Sequence, residues 1–149
     1  MITSIPSTLR PDMSDDYTIH HSSPTPTEHI HIRTTSGLTS PPPSRVASAL
    51  SHSLHCLVAR TNTGEAVGMV RLIGDGALFL QIVDMCVHPD HQGRGLGKRL
   101  LDGMLAWVDG NCQDAYVSLI ADDPGERLYS TRGFVRTTGV GMRRSKWGK

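Results

Sequence analysis

The residues best suited to chemistry lie between Gln92 and Arg99, which reads Gln-Gly-Arg-Gly-Leu-Gly-Lys-Arg. Three glycines alternate with larger residues, and Arg94, Lys98 and Arg99 add positive charge. Glycines let backbone N–H groups close around a ligand without obstruction by a Cβ. If a helix starts here, its first turn adds unpaired N–H donors and the positive end of the helix dipole. The ligand this combination suits is an anion of the phosphate or pyrophosphate type. No Ser or Thr follows Lys98, so the stretch is not a Walker-type phosphate loop. Nor does it have the G-x-G-x-x-G spacing, or the setting in an early βαβ unit with a following acidic residue, of a dinucleotide fingerprint.

Two elements must hold this loop. Upstream, Leu78, Leu80, Ile82, Val83, Met85 and Val87 form a short apolar run rich in β-branched residues, the pattern of a buried strand. Asp84 interrupts it. Pro89 lacks a backbone donor and ends the strand. Downstream, Leu96, Leu100, Leu101, Met104, Leu105 and Val108 recur at helical spacing. The segment therefore reads strand, glycine loop, helix.

Around this centre, Tyr17 to His20 predicts a short first strand. Thr25, Pro26 and Glu28 are placed as N-cap, first helical residue and capping-box acid of a helix running to about Thr34. A second helix is expected over Ser44 to Ser53, after three prolines, with Val46, Ala47 and Leu50 on its apolar side. Strands follow at His55 to Arg60 and Glu65 to Ile73, joined by a turn at Asn62-Thr63-Gly64. Gly74-Asp75-Gly76 turns into the central strand. After the long helix, for which Gly110-Asn111 is the expected C-cap, Tyr116 to Ala121 reads as a strand parallel to the central one in a right-handed βαβ unit. Asp123 before Pro124 is the expected cap of a late helix ending at Gly133, and 134–136 with 141–143 are expected to form a closing hairpin.

The 149 residues suit one domain, here 17–149, behind a polar tail at 1–16. The net charge of +1 sets up no strong field toward nucleic acid or a membrane surface. No apolar run approaches the ~20 residues that span a bilayer. Cys56, Cys86 and Cys112 have no paired spacing and suit a reducing compartment. The eight histidines lack partners at metal-ligand spacing, so no metal site is expected. A cytoplasmic location is the default, with nuclear entry by diffusion open to a chain of this size.

With its Q-x-x-G-x-G pattern at Gln92, Gly95 and Gly97, the loop resembles the coenzyme A pyrophosphate loop of the GNAT superfamily of N-acetyltransferases. The resemblance extends to the strand exit at 83–95, to Ala115–Ala121 as the next strand, and to an L-Y-x-x-x-G-F ending at Leu128, Tyr129, Gly133 and Phe134. It covers about Leu54 to Met142. It implies an α/β (α+β) fold: a mixed, mostly antiparallel central sheet with one parallel, splayed strand pair and flanking helices. It also implies acetyl-CoA as co-substrate, with the pantetheine arm along the backbone of Met85, Cys86 and Val87. The pyrophosphate is then expected on Gln92, Gly93, Arg94, Gly95, Leu96, Gly97 and Lys98.

In the resembled family the acceptor amine usually attacks the acetyl carbon directly, so Cys86 need not be a nucleophile. Tyr129 matches the family's tyrosine, expected to protonate the leaving thiolate. Asp84 is the leading candidate for the base, on the expectation that partial burial raises its pKa. The bland alternative is a structural carboxylate bonded to backbone or to an arginine such as Arg71. His20, His21 and Glu28 are weaker candidates for the base. The family's usual Asn near the start of the late helix has no counterpart in Asp122-Asp123-Pro124-Gly125.

The expected activity is acetyl transfer to a small primary amine of arylalkylamine, polyamine or amino sugar type. The alternatives are a protein or peptide acetyltransferase and a non-catalytic acyl-CoA-binding module. Members of the resembled family are often homodimers, and a homodimer is compatible with this chain.

Overall fold

The computed structural model describes residues 16–145 and Trp147. Five strands form one sheet in chain order: β1 (Tyr17–His20), β2 (His55–Thr61), β3 (Ala66–Gly74), β4 (Phe79–Val87) and β5 (Tyr116–Ser118). The first four pair antiparallel, and β5 runs parallel to β4. The helices are α1 (Pro26–Thr35), α2 (Pro43–Ser51), α3 (Leu96–Asn111) and α4 (Glu126–Ser130). The fold is thus the mixed, mostly antiparallel sheet with one parallel pair that the resemblance implied. The expected tail falls on residues outside those described, apart from Asp16.

Local chemistry explains most of the element boundaries. The Thr25 hydroxyl accepts from Glu28 N (3.2 Å), and the Glu28 carboxylate accepts from Thr25 N (2.9 Å), a complete capping box with Pro26 at the first position. At the turn between β3 and β4, Asp75 Oδ1 accepts from the backbone N–H groups of Ala77 and Leu78 at 2.8 and 2.7 Å. The apolar stripe of α3 buries Leu96, Leu100, Leu101, Met104 and Val108 against Leu57, Val67, Leu72, Leu80 and Ile82 of the sheet. Each such side chain contributes about 1.5–3 kcal/mol on burial. Gly68 allows the close approach of helix and sheet, since a Cβ there would lie 3.2 Å from Leu100 Cδ1. On the other face, Ile32 of α1 packs with Val58, Met69 and Cys86, and α2 packs beside α1.

Several expectations are corrected. The long helix does not stop at Gly110; it runs through Asn111 and ends at Cys112, whose N–H donates to Val108 O. Asp123 does not cap the late helix: Asp123–Gly125 form a 3-10 turn, and α4 follows without a side-chain cap. β5 spans three residues rather than the expected six. The closing hairpin is not formed. Residues 134–145 hold no strand, and Val135, Val140 and Met142 are exposed.

Candidate active site

Two departures from regular sheet create the site. From Arg71 to Met69, β3 advances two residues while its partner β4 advances three, from Val83 to Cys86. The extra residue is a bulge, and Asp84 within it takes a left-handed backbone, φ 55°. Aspartate tolerates that conformation better than most side chains. Meanwhile β5 pairs with β4 only from Phe79 to Gln81. Beyond Gln81, β4 continues to Val87 while β5 has ended, so the two strands fork. A cavity of about 600 Å³ lies in the fork, walled by 82–87 of β4, by Leu119, Ile120 and Asp122 after β5, and by Tyr129 of α4.

Tyr129 is buried and rests edge-on against Phe134. Among the described residues its hydroxyl meets no protein partner, although the side chain lines the cavity. Burial, then the charge of Asp122, pushes its pKa above the ordinary tyrosine value. The phenol therefore stays protonated across the neutral range.

Asp84 is the centre of an ion cluster. Its Oδ2 accepts from Arg71 Nε and from His29 Nε2, each at 2.8 Å, and its Oδ1 accepts from Arg33 Nη1. A carboxylate only accepts, so His29 carries its proton on Nε2. The expectation of a raised pKa is overturned. Burial does push the carboxyl upward, but the hydrogen bonds from His29 and Arg71 and the charges of Arg71 and Arg33 outweigh it. The carboxyl is held well below the usual range. It is a poor proton acceptor and a good anchor, as the Arg71 alternative described.

Cys86 is buried, and burial, with the negative charge of Asp84 second, pushes its thiol up to about 12. That agrees with a cysteine that is not a nucleophile. The other candidate bases lie elsewhere. Glu28 is bonded to Arg60 at 2.8 Å, His21 to His55 at 2.8 Å and His20 to Thr18 at 2.7 Å, and none of the three lines the cavity.

At the mouth of the fork, Gly93 and Gly95 have φ of 75° and 78°. Gly95 occupies the N-cap of α3 with no side-chain cap, leaving the first-turn N–H groups of Leu96, Gly97 and Lys98 to an outside partner. A Cβ at Gly93 or Gly95 would meet no protein atom within 4 Å, so the glycines keep this space clear rather than allow tight packing. Gln92 lines the cavity, and its Nε2 donates to Val87 O at 2.9 Å and its backbone N–H to Pro89 O, tying the strand exit to the loop. Ser36 Oγ also donates to Val87 O, at 3.2 Å. Arg94 is held by the Tyr17 hydroxyl at 2.9 Å.

The site thus gathers Tyr129, Asp84 and 85–87 around one cavity, with the glycine turn at its edge. Arg33, Ser36 and Asp122 also line it and were not singled out in the sequence. His29 and Arg33 stand four residues apart on α1, which puts them on one helical face; that spacing was a readable signal. Nothing local marked Ser36 or Asp122.

A model of the acetyltransferase (GNAT) domain matches residues 52–136, and the chain belongs to that family. Over 98 residues it is 26% identical to an uncharacterised N-acetyltransferase of Porphyra purpurea; the match covers 64% of this chain and 56% of that relative. The chain thus spans little more than half the length of that curated relative. Among solved structures, a Staphylococcus aureus protein of unknown function, described as a probable acetyltransferase, superposes with a TM-score of 0.81 at 27% identity, covering 87% of this chain and 98% of that one. A GNAT-family acetyltransferase of Streptococcus pneumoniae gives a TM-score of 0.69 at 27% identity, covering 87% and 99%.

Proposed function

We propose that the chain is an acetyl-CoA-dependent N-acetyltransferase acting on the primary amine of a small molecule. The observation that carries this reading is the protonated Tyr129 facing the fork cavity, with an uncapped glycine turn at the cavity's edge. The residues present fit coenzyme A. Clear space over Gly93 and Gly95, unpaired N–H groups at 96–98 and the charges of Arg94 and Lys98 suit a pyrophosphate. When bound, acetyl-CoA supplies an activated acetyl group and a thiolate leaving group.

The chain's own groups divide the remaining work. The bulged backbone at Met85, Cys86 and Val87 offers N–H donors toward the thioester carbonyl. Tyr129 gives its proton to the departing sulfur. From ordinary values of about 10 for tyrosine and about 8.5 for a thiol, that transfer is uphill by roughly 2 kcal/mol. Closing the cavity to water raises the proton affinity of the thiolate as well, which offsets the rise that burial gives the tyrosine. Asp84 anchors the bulge through Arg71, Arg33 and His29. The amine proton leaves through water, with the Asp122 side chain on the opposite wall.

Among the described residues, the charged side chains lining the cavity are Arg33, Arg71, Asp84 and Asp122. This balanced set is not the acidic groove that a lysine-rich peptide acceptor requires, and it favours a small acceptor. Thiol release from acetyl-CoA, measured against a panel of small amines and lysine peptides, tests the assignment. Turnover with small amines is expected, and turnover with peptides alone overturns the small-acceptor reading. Gly95→Asp places a carboxylate in the pyrophosphate cradle and is expected to abolish coenzyme A binding; unchanged affinity removes the loop from the site.

A further inference from the structure

The charge in the cavity is not only balanced but separated. Arg33, from α1, and Arg71, from β3, converge on the one carboxylate of Asp84. The three side chains are only 12%, 15% and 8% exposed. Two guanidinium groups against one carboxylate leave this wall with an excess of one positive charge, before any charge on His29 is counted. Desolvated positive charge without a counter-ion is costly and favours an anionic partner.

The donors are also incompletely used. Arg71 Nε serves Asp84, and its Nη1 serves Ala49 O (3.2 Å) and Ser53 Oγ (3.1 Å). Among the described residues Arg71 Nη2 meets no acceptor, and it is not among the buried unpaired atoms, so it is open to a ligand. Arg71 lines the cavity. Across the fork, the opposite wall carries Asp122, whose negative charge reaches the Tyr129 hydroxyl. One side of the cavity therefore offers an arginine donor and excess positive charge. The other offers a carboxylate beside the proton donor.

We propose that the acceptor is an amino acid: a small molecule whose amine faces Asp122 and Tyr129 and whose carboxylate is taken by Arg71 Nη2. This rests on the acetyl-transfer reading above and narrows its acceptor. It excludes polyamines, which carry no anion for Arg71 and would bring ammonium groups against the Arg33–Arg71 wall. With Nε and Nη1 already engaged, Arg71 offers the carboxylate one charge-assisted hydrogen bond from Nη2, which an ammonium could not accept.

The test compares α-amino acids, each against the amine left by its decarboxylation, using the full-length protein and thiol release from acetyl-CoA. The expected result is a preference in kcat/KM for the amino acid on the order of 100-fold, the usual cost of leaving one partner of a buried charged pair unmatched. Arg71→Gln is expected to bring that ratio close to one, whereas Arg71→Lys, which keeps the charge, retains part of it. A calorimetric titration with coenzyme A on each variant reports whether the fold and cofactor site are intact. Because the wild-type ratio is read first, a variant that fails to fold does not rescue the idea. Turnover with the decarboxylated amines equal to or above that with the amino acids overturns this inference alone. Thiol release with none of the acceptors overturns the acetyl-transfer reading and this inference with it.

Discussion

The hydroxyl of Tyr17, on the first strand, accepts a hydrogen bond from Arg94 Nη1 at 2.9 Å and lies 2.8 Å from His91 Nδ1. Its oxygen receives Arg94, so β1 fixes the position of a charge on the glycine loop. Arg99 Nη2 donates to the Tyr17 carbonyl at 3.1 Å, adding a second tie. Tyr17→Phe keeps the ring and removes the hydroxyl. Hydrogen bonds to charged groups contribute about 1.5–3 kcal/mol, so coenzyme A affinity is expected to fall by roughly tenfold or more. Calorimetry reads this directly, and an unchanged dissociation constant refutes the tie.

Tyr129→Phe tests the proton donor. General acid catalysis supplies typically ~10²–10⁴-fold, and kcat is expected to fall within that range while coenzyme A binding is retained. Since the tyrosine pKa is raised, the wild-type rate should show no loss from this group as pH climbs through 8 and 9. Equal turnover by the phenylalanine variant with every active acceptor removes Tyr129 from the chemistry.

Asp84→Asn probes the ion cluster without changing its shape, because asparagine also accepts a positive φ. It leaves Arg33 and Arg71 without their counter-ion, and breaking such a buried pair costs about 3–5 kcal/mol. Because the folded carboxyl is held below its ordinary value, the stabilisation is fully present above the unfolded pKa of about 3.9. It is lost as pH falls through the folded value. Denaturant midpoints of wild type and variant should therefore differ most near neutrality and converge only in strong acid. A constant difference down to pH 2 contradicts this account.

Cys86→Ala separates the direct mechanism from a covalent one. With the thiol pushed up to about 12, almost no thiolate exists at neutral pH. Activity is expected to stay within a few-fold of wild type, and iodoacetamide should label Cys86 far more slowly than a free thiol. Loss of all turnover by a folded alanine variant, shown by a normal thermal transition, supports an acetyl-cysteine route instead.

The parts legible in the sequence are those set by short-range chemistry. Thr25, Pro26 and Glu28 specify a helix start among themselves. The spacing of Leu96, Leu100, Leu101, Met104 and Val108 specifies a buried helical face, and Gly93, Gly95 and Gly97 mark a loop whose backbone N–H groups are unobstructed by a Cβ. Each signal is complete within a few residues of chain. The hairpin expected at 134–143 shows the limit of such reasoning. A strand needs a partner's backbone as well as a suitable pattern, and residues 134–145 form no ladder.

Tertiary structure decided what the local pattern left open. Asp84 could be a base or an anchor by sequence, because a carboxylate's pKa depends on which charges stand within a few ångströms. The bulge turns it toward Arg71, thirteen residues away in sequence, and toward His29 and Arg33 on α1, more than fifty residues away. The cavity likewise arises because β5 stops pairing at Ser118 while β4 runs on to Val87, a relation between two strands that neither encodes alone. The glycine loop and its helix are written in the chain; the charges that face each other across the fork exist only once the sheet has brought them together.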